Sequence, residues 1–462
     1  MNKNFMDIMH IKRFPKVPIL GNLNAFRQDR LKLFLDIEKY CGDIGIFHLG
    51  TKPIIMVNSS DDIHDVLVTY NNHTEKIPII KKYLQPLLGN SILNAHNDIH
   101  KPNKKLMAPA FHRHHILQHA DDIVHIVRKS IASWNDGTIL DINSEMMKIT
   151  LCIIGKLLFD ADIDADGATK PVEMINALMR VSSHITDQIG SLFPLPLSWP
   201  TPGNKQFWHH IRTLDQTLHS IIEEKTLSHS QGRDILSMLM SSTFEDGSSM
   251  NKQQIKDEIN TLFFAGHDTT GNALTWTWYL LAHNPDVYRR LQTEVRTSPI
   301  DQPLRLEDLK HLPYSLQVFK ETLRLFPTAY IMARHVVKPI QLKDYYIPVG
   351  ADILITPYVV HRRAEYYPEP DVFNPDRFLP HEEQTRSRYT YIPFGGGPHA
   401  CIGSGLALLE AQLIIATITQ HCTLQLVNND TIKPNPLITI GPEKPILMRV
   451  CKHHPGQSSE CN

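Results

Sequence analysis

The stretch that most constrains the fold runs from Lys252 to His283, the longest helical pattern in the chain, with Pro285 just beyond its end. At 1.5 Å per residue it spans about 48 Å, so it crosses a whole domain and the rest must pack around it. Its centre reads Ala265-Gly266-His267-Asp268-Thr269-Thr270. Positions 262, 265, 266, 269 and 273 recur at spacings of three and four and share one face, carrying Leu, Ala, Gly, Thr and Ala. Such small residues let a flat group approach the helix backbone. Taken alone, Asp268-Thr269 also reads as an ordinary helix interior with a bonded threonine and a solvated aspartate.

A second stretch, Phe394-Gly395-Gly396-Gly397-Pro398-His399-Ala400-Cys401-Ile402-Gly403, is an irregular loop leading into an apolar helical run from Leu406 to Ile418. A thiol placed just before a helix is favoured as thiolate by the positive helix end and its unpaired N–H groups, which suits a metal ligand or a nucleophile. Glycines let backbone N–H groups approach sulfur closely. The bland alternative is a glycine-rich loop with an inert, buried cysteine. Glu321-Thr322-Leu323-Arg324 lies in a helical pattern ended by Pro327, and Pro375-Asp376-Arg377-Phe378 follows downstream. Glu383-Gln384-Thr385-Arg386 has the same ExxR spacing, in a stretch without helical pattern.

The chain of 462 residues, 42% hydrophobic, can bury a large core, and no repeat or low-complexity linker divides it. Its 47 Lys and Arg balance 48 Asp and Glu, which gives no support for a nucleic-acid partner. The six cysteines include no CxxC pair, which suits a reducing compartment, and the expectation is a cytoplasmic protein. Charges at Lys3, Asp7, Lys12 and Arg13 break up residues 1–14, so no transmembrane segment or signal core is expected there. Strand patterns at 44–49 and 54–57 read as a hairpin, Asp61 to Thr69 as a short capped helix, and 71–97 as a long loop. Helical patterns follow at 120–134, 144–159, 171–189, 204–226 and 234–242. His112, His114, His115 and His119 cluster without a carboxylate or cysteine to complete a metal set.

The spacing Phe394, Gly397, His399, Cys401, Gly403, with Asp268-Thr269, Glu321…Arg324 and Pro375-Asp376-Arg377-Phe378 in order, resembles the cytochrome P450 family. In that family a cysteine thiolate ligates the haem iron and favours O–O cleavage. The resemblance implies a predominantly α fold with small β-sheets. Haem b then lies between the long helix and the cysteine loop, in one domain over 15–450, flanked by an N-terminal tail (1–14) without membrane anchor and a C-terminal tail (451–462).

It further implies that Cys401 is the axial iron ligand and that Phe394, Gly395 and Gly403 shape the loop around the haem. Asp268 and Thr269 deliver protons, and Ala265 and Gly266 leave room for O2. His100 and Lys104 stand where the family commonly has Trp and Arg, and with Arg334 and His399 they would bond the propionates. Glu321, Arg324 and Arg377 form a structural ion network. Thr328, Ala329, Tyr330, Ile331, Leu437 and Ile438 align with substrate-contacting segments, mostly apolar, and the Phe193–Pro200 connection lies over a substrate entrance.

The expected activity is insertion of one oxygen atom from O2 into a lipophilic substrate such as a fatty acid, terpenoid or steroid, with a motif style nearest the fatty-acid hydroxylase branch. NAD(P)H electrons would arrive through a ferredoxin, flavodoxin or diflavin reductase docking near Lys104, Lys105 and Arg113 of a monomer. Rival readings are a peroxide-driven or isomerising haem-thiolate enzyme, and a haem-based gas sensor or ligand carrier. Peroxygenases and isomerising members often lack the acid–alcohol pair, and no signalling or DNA-binding segment is evident.

Overall fold

A computed structural model describes residues 6–161, 170–190, 195–228, 232–297 and 302–453. Its longer helices are α1 (Leu23–Cys41), α2 (Pro78–Leu88), α3 (Asn97–Met107), α4 (Ala120–Ser133), α5 (Ile142–Phe159), α6 (Lys170–Gly190), α7 (Pro202–Ser228), α8 (Ile235–Ser241), α9 (Lys252–His283), α10 (Pro285–Val295), α11 (Pro313–Leu325) and α12 (Ser404–His421). The strands are short. Five of them form a sheet in the order Ile44–Leu49, Lys52–Val57, Asp352–Ile355, Met332–Val336, Thr74–Glu75, and the others form smaller sheets. This is the mostly helical fold with small sheets that the sequence predicts, and every helix expected between 120 and 242 lies within two residues of its expected ends.

Helix α9 occupies the expected 252–283 and starts with a reciprocal cap. The Asn251 side chain accepts from Gln254 N at 2.9 Å while the Gln254 side chain accepts from Asn251 N at 2.8 Å. Its N-terminal half, with Ile259, Leu262 and Phe263, belongs to an apolar cluster shared with α5 to α8. Its C-terminal half, with Ala273, Leu274 and Trp276, belongs to a second cluster shared with α4, α11 and α12. Between the two, Ala265, Gly266, Asp268 and Thr269 are only half-buried. A helix walled in at both ends but accessible at its middle borders an internal recess. Helix α5 packs tightly along α9 because two glycines make room: a Cβ on Gly266 would lie 2.8 Å from Ile154 Cδ1, and one on Gly271 2.6 Å from Met147 Sδ.

Three expectations change. The 71–97 stretch is not an open loop but contains α2 and the edge strand Thr74–Glu75. Pro78 sits in the first turn of α2, where a missing N–H costs nothing, and Pro86 lies inside the helix, so both prolines disguise it in the sequence. Residues 6–14 are built into the domain, not a tail. Met6–Asp7 pairs with Tyr345–Tyr346, Ile11 is buried, and Phe14 N donates to Ile46 O at 2.8 Å. At the other end, Cys451 and Lys452 complete the strand Leu447–Lys452. No helix among the described residues is long and apolar enough to cross a membrane.

Trp276 ties the C-terminal half of α9 to its surroundings. Its ring stacks on Phe326 at 4.0 Å between centroids, and its Nε1 donates to Ile440 O at 3.1 Å. Trp276→Ala is expected to cost about 3–5 kcal/mol, as large-to-small changes in cores do. A fall in the urea unfolding midpoint checks this, and an unchanged midpoint contradicts it.

Candidate active site

The cysteine loop is held in shape by its own backbone. Gly395 (φ 72°) and Gly397 (φ 64°) take left-handed conformations that favour glycine, and a Cβ on Gly397 would lie 2.1 Å from the Leu67 carbonyl oxygen. Cys401 N donates to Phe394 O at 2.9 Å, closing the loop just before α12. Lys104 of α3 reaches across and donates to Pro398 O (2.7 Å) and Ala400 O (2.6 Å). The Cys401 side chain is exposed, yet burial pushes its thiol pKa up, against the lowering influence of Gly403 N–H and Lys104.

Behind this loop, Arg324 uses all five of its N–H donors. Nε and Nη2 bond the two Glu321 oxygens at 2.7 and 2.8 Å, Nη1 bonds His361 O and Pro370 O, and Nη2 also bonds Val372 O. Both side chains are fully buried. Glu321 also accepts from Asn374 N at 2.9 Å, and Arg377 Nε stands 3.5 Å from it as a weaker third member. His361 carries the network to the cysteine loop. Its Nδ1 lies 3.2 Å from Arg324 O and its Nε2 accepts from Ile392 N at 2.8 Å, which fixes a neutral ring with Nδ1 as donor. Burial, with the Arg324 charge second, pushes its pKa down to about 3.

At the centre of α9, Thr269 Oγ1 donates to Ala265 O at 2.6 Å. Asp268 turns toward the hairpin formed by Pro434–Pro436 and Ile440–Pro442, where Thr439 Oγ1 donates to its Oδ2 at 2.5 Å. Asn272 Nδ2 stands 3.4 Å from the other carboxylate oxygen. His267 is buried on the far side, where burial lowers its pKa and its carbonyl accepts from Thr150 Oγ1 at 3.2 Å.

A buried basic cluster brings together His100, His399, Arg334 and Lys76. The two imidazole centroids lie 3.9 Å apart with the rings tilted by 39°, and His399 Nε2 donates to Asn97 Oδ1 at 2.8 Å. Nδ1 of each ring is buried without a hydrogen-bond partner. Arg334 Nη1 bonds the neighbouring Ala333 O at 3.0 Å, and no carboxylate pairs with this arginine among the described residues. Burial is the largest cause of pKa values pushed down to about 10 for Arg334, about 7 for Lys76, about 4 for His100 and about 2 for His399. For all but Arg334 the neighbouring cations add to the effect.

A family model described as Cytochrome P450 matches residues 12–449. The chain belongs to the cytochrome P450 family. Cyclooctatin synthase from Streptomyces melanosporofaciens is 30% identical, covering 92% of this chain and 93% of that protein. Cytochrome P450 4V2 from Homo sapiens is 30% identical over 87% of this chain and 82% of its own length. Pentalenene oxygenase from Streptomyces avermitilis is 26% identical over 96% and 97%. As a cytochrome P450 the protein is an oxidoreductase that uses haem and O2, and its relatives include named oxygenases.

Several residues do something other than expected in this cytochrome P450. Lys104, placed by resemblance among the propionate anchors, spends its ammonium on loop carbonyls. Gly266 makes room for Ile154 of α5. Tyr330 is buried, and its hydroxyl lies 2.8 Å from Leu437 O and 3.1 Å from Pro436 O, so it fastens the hairpin turn. Thr328 is buried too, with its carbonyl accepting from Ile440 N at 3.1 Å. Ala329 and Leu437 are exposed, Ile331 packs against the α4–α11–α12 core, and Ile438 packs against the α5–α8 core. Phe394 is half-buried against the former core. Lys105 pairs with Glu245, which neutralises part of the expected basic docking face, while Arg113 is exposed. The second ExxR stretch makes no matching pair: Glu383 binds Lys320 at 2.7 Å and Arg386 donates to Arg377 O at 2.5 Å. Of the connection expected over a substrate entrance, Phe193 and Pro194 lie outside the described residues. Sequence reasoning missed Lys76, His361 and Thr439, which sit in no recognisable motif.

Glu321→Ala strands the buried Arg324 charge, a loss of about 3–5 kcal/mol, and is expected to yield little haem-loaded protein. Wild-type haem content per mole of purified variant would refute this. His361 gives a pH dependence. The unfolded ring takes up a proton below about pH 6.5 while the folded ring stays neutral, so stability is fully present above that pH. It is lost as pH falls toward the folded value of about 3. The slope is about 1.4 kcal/mol per pH unit. Urea midpoints between pH 6.5 and the acid unfolding limit are expected to fall less steeply in His361→Gln, and identical slopes would exclude His361 as the titrating group.

Proposed function

We propose that this cytochrome P450 is a haem-thiolate monooxygenase for a terpenoid-class lipophilic substrate, with Cys401 as the iron ligand. The observation that carries the reading is Cys401 itself, presented from a loop held by left-handed glycines and closed by its own N–H to Phe394 O at the head of α12. The basic cluster supports it, because two carboxylates set against Arg334, His100, His399 and Lys76 would offset the repulsion that burial aggravates and favour protonated imidazoles, whose orphan Nδ1 atoms could then donate to them. The residues present therefore fit a haem. Bound there, it supplies O2 activation, with one oxygen atom entering a C–H or C=C bond and the other leaving as water.

The chain's own groups do the rest. Lys104 and the glycine turns keep the cysteine loop rigid, and Arg324 with His361 braces it from behind. Asp268 is the proton-delivering acid and Thr269 the hydroxyl beside it, since an acid must lie within hydrogen-bond reach of the group it serves. Electrons come from a separate ferredoxin, flavodoxin or diflavin reductase that draws on NAD(P)H. Support for the substrate class comes from relatives named for cyclooctat-9-en-7-ol and pentalenene.

The deciding experiment is the absorption spectrum of reduced protein under carbon monoxide, followed by titration with terpenes, fatty acids and steroids. A Soret band strongly red-shifted from that of histidine-ligated haem is expected, with a spin-state change on adding terpenes. An unshifted band removes Cys401 as ligand, and a response to fatty acids alone removes the substrate assignment. Asp268→Asn is expected to keep its haem but lose product formation by roughly 100-fold, the usual scale of a positioned acid. Wild-type turnover in that variant would overturn its role.

A further inference from the structure

We infer that Thr439 is a positioning residue for Asp268, so that the seating of the 434–442 hairpin sets the orientation of the proton-delivering carboxylate. The inference rests on the proposed role of Asp268. Thr439 Oγ1 donates to Asp268 Oδ2 at 2.5 Å, and Asn272 Nδ2 donates to Thr439 Oγ1 at 3.1 Å. The hydroxyl thus gives its one proton to the carboxylate and takes the amide proton on its own oxygen, which settles the direction of both bonds. Asn272 is oriented in turn by Asn143, whose Nδ2 lies 3.3 Å from Asn272 Oδ1. The contact is close by construction: a Cβ on Gly441 would lie 2.9 Å from Asn272 Oδ1.

The hairpin is also fixed independently of Asp268. Ile440 O accepts from Trp276, Ile440 N donates to Thr328 O, and Tyr330 holds the turn carbonyls of Pro436 and Leu437. Thr439 therefore offers Asp268 an anchored partner and not a mobile one. The network is a clamp and not a proton path, because side-chain amides neither gain nor lose a proton near neutral pH and two of its four members are asparagines. Asp268 must exchange its protons elsewhere, while Thr439 and Asn272 hold its rotamer. Leu437 and Ile438, at the turn of the same hairpin, link the clamp to the expected substrate-contacting segment.

In coupled turnover two electrons from the redox partner, two protons and O2 give one oxygenated product and one water. If protons are misdelivered, the same electrons and protons leave with O2 as hydrogen peroxide. Thr439→Val, which keeps the shape and removes the donor, is expected to lower the product-forming rate about fivefold and to raise peroxide per electron. Thr439→Ser is expected to return both to within about twofold of wild type. Equal loss in both variants would mean packing and not positioning, and full coupling in Thr439→Val would likewise overturn the proposal.

A second readout does not depend on turnover. In a crystal structure of resting haem-loaded Thr439→Val the Asp268 carboxylate is expected to leave its wild-type rotamer while the 434–442 hairpin keeps its place, and Thr439→Ser is expected to restore that rotamer. An unchanged Asp268 rotamer in Thr439→Val overturns the clamp, even if Asp268→Ala turns over slowly and the proton-delivery reading stands. Wild-type turnover in Asp268→Ala overturns that reading and the inference built on it.

Discussion

Arg324 is the point from which the structure behind the cysteine loop is hung. A buried guanidinium is tolerable only if every donor is matched, and here Glu321 and the carbonyls of His361, Pro370 and Val372 do the matching. Because three of those partners are backbone groups from one long connection, the charge organises main chain that has little regular structure of its own. His361 then converts that order into a bond to Ile392, three residues before the first glycine of the loop. The stabilisation of a single ion pair would not explain such an arrangement, since well-packed apolar residues can do as well. Fixing the path of an irregular chain does.

Helix α9 divides the helical part of the molecule into two apolar cores and leaves its own middle accessible. The small residues at that middle have two separate uses. Gly266 and Gly271 admit α5 on one side, which brings Thr150 to the His267 carbonyl, while Ala265, Asp268 and Thr269 keep accessible surface. A glycine beside Asp268 and Thr269 is therefore used by helix packing. Its absent side chain can be required by the neighbour that holds the helix in place.

Much of this was readable from the residues because periodicity and local chemistry agreed. α9 combined the longest helical pattern in the chain with Pro285 just beyond its end, and Glu321 and Arg324 lay one turn apart in a helix stopped by Pro327. Helix α2 was hidden because Pro78 and Pro86 are breakers by default, and only tertiary packing of Tyr83, Leu87 and Leu88 overrides them. Lys76, His361 and Thr439 were hidden for a different reason. His361 reaches Ile392, 31 residues further on, and Thr439 reaches Asp268, 171 residues back, while Lys76 matters through its burial beside other cations. No local pattern marks such contacts. Lys104 lies beside the cysteine loop, and sequence could not say that backbone carbonyls would claim its ammonium.

The clip made by Lys104 has an evolutionary corollary. It grips the loop through the carbonyl oxygens of Pro398 and Ala400, groups that every amino acid supplies. Side chains at those two positions can therefore drift without loosening the grip, so long as the backbone path is kept. The burden of inheritance falls instead on the lysine and on the glycine at 397, whose missing side chain admits the Leu67 carbonyl. A loop secured in this way can vary its polarity next to the thiol while its shape stays the same.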